Sequence, residues 1–320
     1  MIQFIKCHGS DNDFLLIDEK TNHYQFTEEE RSQLSIVLCD RNNGVGSDGI
    51  LFVMNSEVAE ARMRMFNSDG TEAEMCGNGL RCVARHIIEQ EGRAKVQIET
   101  EKAVLAVEQV EPIYEGIDTF SVTIEPVSFE VQSLPMKFEK DEALDVVIPE
   151  LSDDLTFTAL SVPNPHIVTI VDKVNQRELE ATGKKANNLS EVFPKGVNVS
   201  FVQILATNKI FVQTYERGVG LTNACGTAMS ASTLVSTILG SNEVETPIVV
   251  INKGGLVNCV VEKAERRYSI QLRGNATNVY TATIDVSLEN NEWNWIDSTT
   301  HQNEIDIYQK LKDFAASQIY

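Results

Sequence analysis

Two cysteines stand in matching local contexts: Cys76 in FNSDGTEAEMCGNG, residues 66–79, and Cys225 in YERGVGLTNACGTA, residues 215–228. In each stretch an aromatic residue precedes a polar one, Asn67 or Glu216, and a Cys-Gly follows nine positions later. Cys225 follows Cys76 by 149 positions. Each Cys-Gly opens an apolar run with helical spacing, Leu80, Val83, Ala84, Ile87 and Ile88 in one case, and Ala228, Ala231, Leu234, Val235 and Ile238 in the other. The chain therefore sets a cysteine at a helix N-terminus twice. A helix N-terminus presents unpaired N–H groups and partial positive charge, which favours thiolate over thiol and binds an incoming carboxylate. A free cysteine is most often a buried structural residue. Two in one frame point instead to paired chemistry.

That chemistry is stereoinversion at an acidic carbon. With Cys76 and Cys225 on opposite walls of a cleft, one thiolate removes an α-proton and the other thiol returns one on the far face. One thiolate and one thiol are needed, with proton affinities pushed apart by their surroundings. His166 and Glu216 are the polar candidates for that tuning.

The elements that must position these groups read as an internal repeat. Strands are expected at 2–6 and 14–18, around the loop HGSDND that holds Asn12. Thr27 and Glu30 form a capping box for a helix ending near Cys39, and Gly92 is a C-cap. ILFVM and ARMRMF read as strands before the first cysteine loop, VQIET and AVLAVEQV as strands after its helix. Strand character continues through FSVTIEPVSFEV, with Glu125-Pro126 at a crossover. The acidic segment 139–154 reads as a solvated loop or edge hairpin. Then the pattern replays: Asn164 precedes a strand as Asn12 does, and Gly196-Val197 echoes Gly44-Val45, both at a separation of 152. KIFVQTYE alternates as ARMRMFN does. These echoes indicate two homologous α/β halves facing each other. Strands follow at PIVVIN, VNCVVEK and YSIQLRG. A C-terminal helix docks through Ile305, Tyr308, Leu311 and Phe314.

Composition narrows the partners. The 320 residues suffice for two domains, and 42% hydrophobic residues supply a core. A net charge of −20 argues against nucleic acid and anionic membrane. The six cysteines show no C-x-x-C and no zinc-ligand spacing, so no metal is expected. The opening residues lack a signal peptide's apolar region, and no 18-residue apolar run is present. A reducing, cytoplasmic location is expected.

The motifs FNSDGTEAEMCGNGLRC, ERGVGLTNACGT, HGSDNDF, PNPH and GVNVSFV resemble those of diaminopimelate epimerase, from residue 1 to about residue 285. The resemblance implies an isomerase, independent of pyridoxal phosphate and of any other cofactor. It would interconvert LL- and meso-2,6-diaminopimelate for lysine and peptidoglycan precursors. It implies two pseudo-symmetric domains, each a mixed, mostly antiparallel sheet wrapped round a central helix, and a homodimer. The division expected is residues 1–126, completed by a returning segment near 275–288, then 127–274, with 289–320 as an extension. By the same resemblance Cys76 and Cys225 are the acid/base pair. Gly77, Asn78, Gly226 and Thr227 lie in the loops that hold the reacting carboxylate. Asn67, Asn198 and Arg217 read the distal end, where the arginine fork suits a carboxylate. Asn12 and Asn164 face substrate, and His166 and Glu216 tune the cysteines. The chain departs from the family pattern at Ser10 and Asp11, at Pro163, at Ala228 and Met229, and in its longer tail.

Two alternatives remain at this stage. Related racemases act on proline, hydroxyproline or histidine, although the proline type carries His where Asn78 stands and lacks the Glu216–Arg217 pair. A thiol redox sensor closing a Cys76–Cys225 disulfide is the other, although that bond is expected to inactivate an enzyme. His8 and His86 are expected to be structural, His23 and His301 solvated, and Cys7, Cys39, Cys82 and Cys259 inert. Asp13 and Asp69 are expected to brace their loops.

Overall fold

The computed structural model describes residues 1–73, 76–265 and 267–319, so Glu74 and Met75 of the first cysteine stretch lie outside the described residues. The chain divides into two compact units, residues 1–122 with 273–311 and residues 123–272 with 312–320.

In the first unit β1 (Ile2–Gly9) and β2 (Asn12–Asp18) form an antiparallel hairpin. The strands run deeper than the expected 2–6 and 14–18, and Asn12 is the first residue of β2. The two-residue turn is Ser10-Asp11, both left-handed, with φ 55° and 66°. That conformation matches the strand twist, and the Ser10 N–H is anchored on the Asn275 side-chain oxygen at 2.8 Å. A short α1 (Glu19–Asn22) precedes α2 (Glu28–Cys39), which starts at the reciprocal Thr27–Glu30 capping box. Next come β3 (Gly49–Met54), parallel to β2, and β4 (Ala61–Asn67), antiparallel to β3. The two-residue β5 (Glu72–Ala73) folds back on β4. Helix α3 (Gly77–Glu91) follows, closed by Gly92 in the left-handed region at φ 66°. β6 (Lys95–Glu99) runs parallel to β4, and β7 (Val104–Val110) and β8 (Thr119–Ile124) add antiparallel strands.

Helix α3 packs against β1, β2, β3, β4, β6 and β7, so the sheet wraps round it. All five apolar positions that define its helical spacing are buried. Gly79 allows the close approach, because a Cβ there would lie 2.6 Å from a Leu51 methyl. Phe4, Leu15, Ile17, Leu34, Ile50 and Phe52 form a second cluster on the other side, each contributing about 1.5–3 kcal/mol by burial.

The second unit repeats this order. β9 (Val146–Val147) pairs with β10 (Thr156–Ser161), which is antiparallel to β11 (Pro165–Val171). Helix α4 (Gln176–Asn188) follows, then β12 (Asn198–Ala206), parallel to β11, and β13 (Lys209–Glu216), antiparallel to β12. β14 (Gly220–Thr222) folds back on β13. Helix α5 (Gly226–Ile238) comes next, then β15 (Ile248–Asn252), parallel to β13, and β16 (Gly255–Ala264). Every residue of α5 from Ala228 to Thr237 is buried. The buried hydroxyls of Ser230, Thr233, Ser236 and Thr237 return to carbonyls four residues back at 2.8–2.9 Å, which removes most of the desolvation cost.

After β17 (Arg267–Asn275), β18 (Thr277–Ser287) pairs with β1, and β19 (Glu292–Thr300) extends that sheet. Helix α6 (Gln302–Ser317) ends the chain. In the first unit Tyr308 is buried with its ring edge-on to His8, centroids 4.3 Å apart.

Four expectations are corrected. FSVTIEPVSFEV is a strand only as far as Ile124, with isolated bridges at Ser128 and Glu130 beyond it. Segment 139–154 is not simply solvated: Ala143, Ile148 and Leu151 are buried in the second unit's core cluster. Phe314 is 43% exposed, and Ala315 takes the buried position beyond Leu311. His301 bonds to the Thr281 hydroxyl at 3.1 Å and is not a solvated side chain.

Candidate active site

Each unit carries one cysteine as the N-cap of its central helix. Cys76 has φ −143° and ψ 108°, and Cys225 has φ −129° and ψ 115°. Both values are extended, so each backbone turns from strand-like to helical at the sulfur-bearing residue.

In the first unit the Cys76 sulfur accepts from the Gly79 N–H at 3.4 Å and lies 3.7 Å from the Asn12 side-chain oxygen, to which the thiol donates. The Asn78 amide donates to the same oxygen at 3.2 Å. Gly77 is the first helical residue. Burial pushes the Cys76 thiol up to about 11, against the pull of the Gly79 and Asn78 N–H groups. Asn67 ends β4 in a turn, its amide donating to the Thr71 hydroxyl at 3.1 Å and its N–H to the Thr71 carbonyl at 2.8 Å. Asp69 braces that turn through the Thr71 N–H at 2.9 Å. Asp13 braces the start loop by pairing with Lys6 and with Arg41, 2.7 Å from the latter.

In the second unit Cys225 lies 3.5 Å from the Thr227 hydroxyl, with the Glu216 carboxyl near enough to act on its proton affinity. Burial, followed by the neighbouring Glu216 charge, raises the Cys225 thiol far above its ordinary value. Burial likewise raises the Glu216 carboxyl. The Arg217 N–H donates to the Asn198 side-chain oxygen at 2.9 Å, and its guanidinium donates to the Lys195 carbonyl at 3.0 Å. Asn198 sits beside His166 in the parallel β11–β12 register. Burial, with Arg217 nearby, holds His166 down to about 3, so its ring is neutral. Its Nε2 lies 2.7 Å from the Asn164 side-chain oxygen, which places the ring proton there. The buried Nδ1 has no partner among the described residues. Gly226 opens α5 as Gly77 opens α3.

The helix N-termini were expected to favour thiolate. Both thiols are instead held protonated, because burial outweighs the few N–H donors. The departures at Ala228 and Met229 are packing matters: both are buried, and the Met229 sulfur accepts from Asn252 at 2.9 Å. Sequence reasoning missed Asp48 and Arg81. Asp48 accepts the Asn12 amide at 2.6 Å, and Arg81, fully buried, donates to the Asn78 side-chain oxygen at 2.9 Å. The available signal was an arginine inside an apolar helical run, since a buried charge demands partners. Among the described residues no group of three or more His, Cys, Asp or Glu side chains is placed to hold a metal ion. No helix among them is long and apolar enough to cross a membrane.

The family model described as diaminopimelate epimerase matches residues 4–115 and 158–279. A diaminopimelate epimerase of Clostridium acetobutylicum is 44% identical over 314 residues, 98% of this chain and 94% of its own length. One from Listeria welshimeri is 43% identical over 324 residues, 98% of each chain. Among solved structures, a Bacillus anthracis phenazine biosynthesis protein of the PhzF family aligns with TM-score 0.64 at 18% identity, over 88% of this chain and 97% of that one. A probable proline racemase from Agrobacterium radiobacter K84 aligns with TM-score 0.59 at 14% identity, over 90% and 94%. These two share the fold.

Proposed function

The chain belongs to the diaminopimelate epimerase family, and we propose that it interconverts LL- and meso-2,6-diaminopimelate with no cofactor. The observation that carries the mechanism is the pair of cysteines at helix N-cap positions, each beside a different kind of acceptor: the Asn12 side-chain oxygen, which takes the Cys76 thiol proton, and the Glu216 carboxyl near Cys225.

The acceptors differ in kind, and that difference supplies the asymmetry two-base chemistry requires. An amide oxygen cannot take the Cys76 proton. A carboxylate whose proton affinity is raised by burial can take the Cys225 proton. Transfer to Glu216 leaves Cys225 as thiolate, which removes the substrate α-proton, and Cys76 donates its thiol proton to the opposite face. The carbanion carries its charge into the carboxylate. That group is held by backbone N–H groups at Gly77, Asn78, Gly226 and Thr227, where the helix N-termini stabilise it. The reverse reaction runs with the roles exchanged. His166, neutral and beside Asn198, keeps its lone pair free of a proton and tunes the second thiol together with Glu216. Arg217, with Asn67 and Asn198, reads the distal amino-acid end, and Asn12 and Asn164 contact substrate. We also infer a cytoplasmic homodimer in lysine and peptidoglycan precursor synthesis. The described cysteines are all free thiols, which suits a reducing compartment.

The experiment is proton NMR of LL-diaminopimelate with the purified protein in D₂O, under reductant. Loss of one α-proton signal with appearance of the meso form, abolished in Cys76→Ala and Cys225→Ala, is the expected result. Exchange with L-histidine or L-proline but not diaminopimelate would overturn the substrate. No exchange with any of the three would overturn the proton-transfer chemistry.

A further inference from the structure

Around Cys76 four side chains form one hydrogen-bonded line. Arg81 Nη2 donates to Asn78 Oδ1 at 2.9 Å, Asn78 Nδ2 donates to Asn12 Oδ1 at 3.2 Å, and Asn12 Nδ2 donates to Asp48 Oδ2 at 2.6 Å. A guanidinium can only donate, and a carboxylate can only accept. With a pure donor at one end and a pure acceptor at the other, the two amides between them have one consistent orientation. Turning Asn78 over would set two N–H groups against each other at Arg81. Turning Asn12 over would set oxygen against oxygen at Asp48 and N–H against N–H at Asn78. The atom that Asn12 offers the Cys76 sulfur is therefore its carbonyl oxygen, at 3.7 Å. An oxygen lone pair facing sulfur welcomes S–H and repels S⁻.

Asp48 is itself fixed. Its second oxygen takes Arg41 at 2.8 Å, and the first also takes the Asp13 N–H at 3.2 Å. Arg81 is fully buried and also donates to the Asn275 carbonyl at 3.0 Å. We propose that Asp48 and Arg81 are positioning residues, which lock the Asn12 and Asn78 amides so that Cys76 faces a carbonyl oxygen and rests as the thiol. This deepens the epimerase reading and rests on it for the role of Cys76. It assigns the free protein a definite poise, in which Cys76 waits as the proton donor.

The test is the pH dependence of Cys76 alkylation by iodoacetamide, followed by peptide mass in a Cys225→Ser background. It needs no substrate, so it stands or falls independently of the exchange experiment above. The charged and titratable groups around the line are Lys6 on β1, Asp13 on β2, Arg41 and Asp48 in the loop after α2, and Arg81 and Cys82 on α3. Asp48→Ala frees the Asn12 amide, and the inflection is expected to fall by about one pH unit, with alkylation several-fold faster at pH 8. Asp48→Asn removes the same charge but keeps an oxygen for the Asn12 amide, and is expected to stay near the wild-type profile. Superimposed profiles for Asp48→Ala and wild type would overturn the proposal. Equal shifts in both variants would overturn it too, because charge and not orientation would then be acting. If Asp48→Ala does not fold, the ¹⁵N-labelled wild type decides. The Asn12 carboxamide protons are expected to exchange slowly with solvent, and free exchange would overturn the lock.

Discussion

Replacing Glu304 by alanine removes the contact that ties the C-terminal extension to the helix bearing Cys76. The Glu304 carboxylate grips Arg85 of α3 with both oxygens, at 2.6 and 2.9 Å, and accepts the Asn278 N–H at 2.8 Å. The Arg85 side chain is 8% exposed and that of Glu304 26%, so the pair lies in the regime where stranding one partner costs about 3–5 kcal/mol. Part of that cost is spared. Arg85 keeps Glu89 at 2.7 Å, Asp118 at 3.5 Å and the Ala276 carbonyl at 2.7 Å, although both of those acids are about half exposed. Losing the acceptor for the Asn278 N–H adds about 1 kcal/mol. A net loss of about 2–4 kcal/mol follows. The two tryptophans, Trp293 and Trp295, both lie on β19, so their fluorescence reports the first unit selectively. With a urea slope of about 2 kcal/mol/M, the midpoint should fall by about 1–2 M. Arg85→Met combined with Glu304→Leu should recover more than half of the single-variant loss, since no charge is left stranded. A midpoint within 0.2 M (about 0.4 kcal/mol at that slope) of wild type for Glu304→Ala would refute the reasoning. So would a double variant as unstable as the two singles added together.

Three further outcomes follow from the site and its supports. Glu216→Gln cannot take the Cys225 proton, and α-proton exchange of LL-diaminopimelate in D₂O should slow by about 100-fold or more with circular dichroism unchanged. Gly183→Ala sets a Cβ 2.2 Å from the Tyr215 ring and should cost about 2–3 kcal/mol, read by calorimetry of the second unit's transition. Burial alone would raise the Asp18 carboxyl, but hydrogen bonds from His86, Thr21 and Gln90 overcome it and hold the group well below its ordinary range. Its folded value is thus depressed, so its stabilisation is complete above roughly pH 4 and lost as pH falls through the folded value. Asp18→Asn should be less stable than wild type at pH 7, and the gap in urea midpoint should close as pH is lowered toward 2.

The repeat was legible because it is written in short-range chemistry. Thr27 and Glu30 satisfy each other within one helical turn, Gly92 adopts the one conformation that ends a helix cheaply, and each Cys-Gly precedes an apolar stripe. Helix α4 was not read, although Asn175 caps it by accepting from Arg177 and Glu178, because its mostly polar residues dilute the apolar period. The burial of Ala143, Ile148 and Leu151 was illegible for a related reason: three apolar residues scattered in an acidic stretch have no period, and only tertiary packing buries them. In the site, residue types were readable and their states were not. A helix N-terminus suggests thiolate, and whether burial overrules it depends on what covers the sulfur. Asp48 and Arg81 act through hydrogen bonds spanning 36 and 3 positions, and only the folded chain shows that the two bonds belong to one line.

The fixed Asn78 amide also governs how this protein ages. The chain contains two Asn-Gly steps, Asn43-Gly44 and Asn78-Gly79, and this dipeptide is the one most prone to lose ammonia through a cyclic imide. Ring closure needs the following backbone nitrogen to attack the side-chain carbonyl carbon. At Asn78 that nitrogen is engaged with the Cys76 sulfur, and the carbonyl is pinned by Arg81 inside a buried helix turn. At Asn43 the following nitrogen is also engaged, with the Asp40 carbonyl at 2.9 Å, and the side-chain amide donates to the Asp40 carboxylate at 3.0 Å, but the residue is exposed in a turn and not buried in a helix. Storage damage therefore accumulates first in the loop after α2, while the asparagine beside the working sulfur is spared by the contacts that orient it.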